Sequence, residues 1–150
     1  MATIIRPLQA RLEARIAAIH ERIAAACARA GRDPGSVTLV AVSKTFPAQA
    51  VREAAAAGQR HFGENYVQES VEKIAELSGN GALDGLVWHF IGPIQSNKTR
   101  PIAQYFQWVH TIDREKIARR LAEQRDAHLP ALEVCIEVNV SGEASKSGVD

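Results

Sequence analysis

The chain has 150 residues, 46% hydrophobic and 23% charged, with a formal net charge of +1; this supports one core and gives no electrostatic case for a nucleic-acid or membrane partner. Cys27 and Cys135 lie far apart without CxxC spacing, which argues against zinc and a disulfide framework and for a reducing, cytoplasmic setting. The N-terminal "MATIIRPLQARLEARIAAIHERI" is too charged for a secretory signal, and no run approaches the ~20 apolar residues that span a bilayer.

Leu8, Leu12, Ile16, Ile19, Ile23 and Cys27 recur at helical spacing and predict one amphipathic helix over 4–30. "GRDPGS" ends it, with Gly31 as C-cap and Pro34 beyond. The apolar run "VTLVAVS" (37–43) is a strand, followed by the helix "PAQAVREAAAAG", with Pro47 at an N1-like position and Gly58 at the C-cap. A second strand, "RHFG" (60–63), precedes the helix "NYVQESVEKIAELSG", where Val67, Val71, Ile74 and Leu77 share a face. "SGNGALDG" (78–85) reads as a surface connection. Strands "LVWHFIG" (86–92) and "QWVHTI" (107–112) flank "SNKTRPIAQYF", a weaker helix interrupted by Pro101. "DREKIARRLAEQRDAH" opens with Asp113 as N-cap and carries an Ile117/Leu121 stripe, and "LEVCIEVNV" (132–140) is the fifth strand.

Strands alternating with helices imply parallel pairing through right-handed crossovers, and near-continuous apolar strands fit a sheet covered on both faces. An open doubly wound sheet and a (β/α)8 barrel both satisfy this. Either gathers function at the C-terminal strand ends, here "SKT", "GEN", "GPIQSNK", "TID" and "NVSGEASKSG". A barrel needs eight strands and about 250 residues, so the five found here fit an open sheet or the front part of a longer barrel. Without a linker or low-complexity tract, residues 1–150 read as a single domain.

Thr38, Val40, Val42 and Lys44 alternate onto one face of the first strand, which in a barrel is the lumen. A lysine among apolar neighbours has a depressed pKa and becomes a nucleophile towards aldehydes; the alternative is a strand-end lysine that snorkels to water or salt-bridges Glu64. Asn65 suits a ligand contact or a helix N-cap equally. Gly92–Thr99, "GPIQSNKT", is one substitution from the phosphate loop G-x-x-x-x-G-K-[ST], but Asn97 replaces its second glycine and Pro93 removes an amide donor. His89, mid-strand between Trp88 and Phe90, fits a satisfied core residue, with no histidine at a metal-pair spacing. Asn139, Ser141 and Lys146 follow the fifth strand, in a connection or a loop near bound phosphate. No G-x-S-x-G elbow or Rossmann G-x-G-x-x-G occurs.

Five strings, "LVAVSKTFP", "FGENYVQE", "WHFIGPIQSNK", "VHTID" and "EVNVSGEASKSG", fall at strand ends and span nearly the whole chain after the first helix. Through them the sequence resembles the pyridoxal phosphate (PLP) homeostasis protein family, whose members are similar to the N-terminal barrel of alanine racemase. The resemblance implies a TIM-type (β/α)8 barrel of PLP fold type III, here about its first five β/α units plus an N-terminal helix. It implies that Lys44 holds pyridoxal 5'-phosphate as a Schiff base. Asn65 matches a family residue close to the cofactor ring; barrel geometry adds His89 and Asn139 as cofactor contacts.

The family is credited with keeping intracellular PLP in balance rather than with an established reaction, so no catalytic residue and no metal ligand is expected. PLP-dependent apoenzymes would be acceptors, and the complete protein a monomer in the cytoplasm. A racemase-like enzyme, the alternative, needs a second acid/base group, and Tyr66 and Tyr105 fall inside predicted helices. The family's phosphate-holding segments follow its seventh and eighth strands and are not found in these 150 residues. The expectation is therefore a fragment of a protein that binds PLP when complete, with its first and fifth strands as open edges. Lys98 and Lys146 are expected to be plain surface lysines.

Overall fold

The computed structural model describes residues 5–78, 83 and 85–150, with side-chain surroundings from residue 10 onward. Leu8 and most of the 78–85 connection therefore lie outside the described side chains. The first element is a long helix, α1 (Ile5–Arg29). Ile16 and Cys27 are buried and Leu12 packs on the core, whereas Ile19 is exposed. Five strands and four further helices then alternate: β1 (Val40–Val42), α2 (Ala48–Ala56), β2 (His61–Glu64), α3 (Val67–Leu77), β3 (Val87–Phe90), α4 (Thr99–Tyr105), β4 (Trp108–Ile112), α5 (Glu115–Gln124) and β5 (Glu133–Ile136).

The helix stops follow backbone chemistry. Gly58 has φ +92° one residue past the Ala57 cap, with Gly58 N donating to Ala55 O and Gln59 N to Ala54 O. This is a Schellman closure, and glycine adopts its left-handed turn without a Cβ penalty. Gly31 ends α1 in the same way. Two expected caps shift. Pro47 is the N-cap of α2 rather than its first helical residue. Arg114, not Asp113, precedes α5, because the Asp113 carboxylate is engaged by the Arg114 guanidinium at 2.7 Å.

All strands are parallel, and their spatial order is β1-β2-β3-β4-β5. A doubly wound sheet would reverse direction at a switch point. Without that reversal, right-handed crossovers set every helix on one face of the sheet, as in a barrel wall. Phe62, Phe90 and Val109 project from the strands on that face to meet Val51, Ile74, Ile102, Ile117 and Leu121, all buried. Among the described residues the other face carries no helix: Val42 on it is 50% exposed, although His89 is buried between its neighbours. β1 and β5 are the sheet edges, and Val134, Ile136 and Val138 on β5 and beyond it are exposed.

Candidate site at the open sheet face

Strand register assembles the site. Val42 pairs with Gly63, Gly63 with His89, and His89 with Trp108. Lys44 and Asn65 each lie two residues beyond the Val42–Gly63 pair, past the ends of β1 and β2, while His110 lies two beyond Trp108 within β4 on the face of His89. Asn139 lies three residues beyond the end of β5. Its amide is engaged locally, donating to Glu143 O at 3.0 Å.

Lys44 emerges from a tight turn, closed by Phe46 N donating to Ser43 O at 3.1 Å. Among the described residues it has no carboxylate within ion-pair distance. Glu64, the salt-bridge partner considered for it, points to the opposite side of the sheet. There the carboxylate is fully buried and accepts from Lys73 Nζ at 2.7 Å and from Ser43 Oγ at 2.7 Å. Lys73 Nζ also donates to Ser43 O at 2.7 Å and Glu69 Oε1 at 3.0 Å, which accounts for its three protons. Glu69 Oε1 in turn accepts from Thr45 N at 2.7 Å. The Lys73 hydrogen bond, opposed by partial burial and aided by the Thr45 amide, holds the Glu69 carboxyl below its ordinary value.

Asn65 does not cap a helix: α3 begins at Val67, and Tyr66 is its N-cap residue. Tyr66 is therefore outside the helix predicted for it, at the strand-end rim. Asn65 Oδ1 is buried with no hydrogen-bond partner among the described residues, an arrangement that costs about 1–3 kcal/mol unless a ligand or water satisfies it. The neighbouring strand is shaped to fit Asn65 closely. A Cβ at Gly92 would lie 2.5 Å from Asn65 O, so only glycine admits that approach.

His89 is the buried, satisfied residue expected, at 3% exposure, but it is not alone. Its Nε2 lies 2.9 Å from His61 Nδ1 and its Nδ1 2.8 Å from His110 Nε2, and its ring stacks on Trp108. A neutral His89 has a single N–H, so it donates to one neighbour and accepts from the other, and the three rings share one polarity. Burial, then the charges of His110 and His61, lowers His89 from 6.5 to about 4, and burial lowers His110. The unfolded chain takes up the His89 proton below about pH 6.5, while the folded chain resists it until about 4. His89 thus contributes stability that is present above pH 6.5 and lost as pH falls through that window. Chemical-denaturation midpoints should drop between pH 6.5 and 5, ahead of most carboxylates, and the drop should shrink in His89→Gln; an equal drop in both proteins would contradict this account.

A family model described as alanine racemase, N-terminal domain, matches residues 15–150. The chain belongs to that family. Its alanine racemase N-terminal domain is 66% identical over 133 residues to the pyridoxal phosphate homeostasis protein of Pseudomonas aeruginosa, covering 89% of this chain and 56% of the relative. It is 57% identical over 134 residues to the protein of that name in Escherichia coli K12, covering 89% and 57%. Among solved structures, PipY of Synechococcus elongatus with PLP bound superposes with a TM-score of 0.69 at 42% identity, covering 88% of this chain and 58% of PipY. A protein from Bifidobacterium adolescentis gives a TM-score of 0.80 at 32% identity, covering 95% and 61%. The chain spans little more than half the length of the curated relatives it matches. Order, pairing and family together make the sheet part of a TIM-type barrel wall.

The family's racemase-like barrel leaves no role for the phosphate-loop reading. Ser96–Lys98 forms a single 3-10 turn running into the seven-residue α4. The Thr99 hydroxyl, which would face a metal ion in a phosphate loop, is buried and donates to Gln124 Oε1 at 2.7 Å. Lys98 and Lys146 are both exposed. Sequence reading missed His61, His110, Glu69 and Lys73. The three histidines had a legible signal, one on each of three consecutive strands in "RHFG", "VWHF" and "WVHT". No helix among the described residues is long and apolar enough to cross a membrane.

Proposed function

We propose that this chain is the Lys44-bearing part of a protein that binds PLP for intracellular PLP homeostasis, with Lys44 Nζ as its covalent attachment point. The observation that carries the reading is the buried, unpartnered Asn65 Oδ1 two residues beyond Gly63, whose strand partner Val42 lies two residues before Lys44, a lysine with no ion pair among the described residues. PLP bound there supplies an aldehyde that condenses with a neutral amine, releasing water. Asn65 accepts or donates at the ring through one end of its amide, with His89 and the Trp108 ring one register step below, and Asn139 adds a contact from the segment beyond β5. The relatives named for PLP homeostasis and the PLP-bound PipY structure support the same ligand.

The role is a carrier's rather than an enzyme's, handing PLP to PLP-dependent apoenzymes in the cytoplasm as a monomer. Racemase chemistry needs an acid/base group opposite the lysine. Tyr105 ends α4, at the opposite end of the sheet from Lys44, and Tyr66 is exposed. The test is borohydride reduction of the PLP-loaded protein and peptide mapping, with alanine turnover measured in parallel. Label on Lys44 and no turnover are expected. Label confined to Lys98 or Lys146 would remove the proposal, and interconversion of alanine enantiomers would favour the racemase reading.

A further inference from the structure

We propose that Glu69, with the buried Glu64–Lys73 pair, positions the Lys44 turn from behind the sheet, an inference that rests on the attachment role of Lys44 proposed above. Each neighbour of Lys44 is held by this group. Ser43 is fixed through its hydroxyl to Glu64 (2.7 Å), its carbonyl to Lys73 (2.7 Å) and its amide to Gly63 O (2.9 Å). Thr45 is fixed through its amide to Glu69 Oε1 (2.7 Å).

Thr45 is also the one non-glycine residue with positive φ, +65°, among the described residues. A β-branched side chain in the left-handed region is strained and persists only where its surroundings over-determine it. Here the Glu69 carboxylate and the Phe46–Ser43 turn bond supply that determination.

The spacing explains how the group assembles. Glu64 ends β2, Glu69 lies in the first turn of α3, and Lys73 follows Glu69 at i+4. One ammonium thus joins strand end, helix start and the carbonyl preceding Lys44. Among the described residues the turn is held without any bond to the Lys44 side chain, which leaves its amine to the ligand. Holding a reacting group in place from the backbone lowers the ordering cost of ligation.

The experiment compares wild type, Glu69→Ala and Glu69→Gln by hydrogen exchange of the 43–46 segment and by spectrophotometric PLP titration of the full protein. Losing a hydrogen bond to a charged acceptor corresponds to about tenfold or more. Glu69→Ala should therefore speed Thr45 amide exchange and weaken PLP binding about tenfold each, leaving exchange in β4 unchanged. Glu69→Gln, whose Oε1 can still accept from Thr45 N, should recover most of both.

Faster exchange with unaltered PLP affinity would overturn the positioning role, as would equal losses in the two variants. If borohydride labels no Lys44 in the wild type, the attachment reading itself fails. The exchange data then decide separately whether Glu69 holds the turn.

Discussion

Lys44→Ala is expected to abolish the visible absorbance that PLP binding gives the protein, with almost no change in thermal stability. The two outcomes separate because Lys44 makes no ion pair among the described residues, while its turn is held by backbone and by neighbours. Removing a partly exposed, unpaired side chain shifts stability by no more than about 0.5 kcal/mol, or one to two degrees at this chain length. Removing the Lys44 amine takes away the aldehyde's proposed covalent partner, so residual binding should be weak, reversible and without the aldimine band. Titration with PLP beside a calorimetric melt checks both halves. A Lys44→Ala protein that keeps the absorbance would move the attachment point elsewhere.

Lys73→Met should have the largest effect on stability, a loss of about 3–5 kcal/mol. Methionine fills much of the same volume but leaves the fully buried Glu64 carboxylate without its ammonium and the Ser43 carbonyl without a donor. Domains of this size have a total stability of only about 5–15 kcal/mol, so the melting temperature should fall by more than about 6 °C. Adding Glu64→Leu removes the stranded charge and should restore part of the loss, since apolar replacement of a buried pair is often neutral or better. The check is a set of melts on the two single variants and the double variant. A Lys73→Met melt within a degree of wild type would show that Glu64 finds another partner.

Legibility divided along physical lines. Helices were readable wherever apolar spacing and a glycine stop coincided, as at Ile74/Leu77 and at Gly58. Cap identity was less readable, because Asp113 and Asn65 both have the chemistry of N-caps and neither serves as one. Lys73 shows the limit most sharply. On a helix rich in glutamate it reads as a solvated charge, yet its side chain is only 4% exposed. Nothing local in the sequence could show that a strand carboxylate and a turn carbonyl wait behind it.

Local sequence alone determined the alternation of strand and helix, the parallel pairing it requires, and Lys44 at the end of the first strand, because periodicity and turn chemistry act over a few residues. The tertiary structure decided the rest: the unreversed strand order, the histidine chain across three strands, the buried, unpartnered Asn65 oxygen, and the clamp on either side of Lys44. Each joins residues that are distant in sequence, and such pairings exist only once strand register brings the side chains within hydrogen-bonding reach.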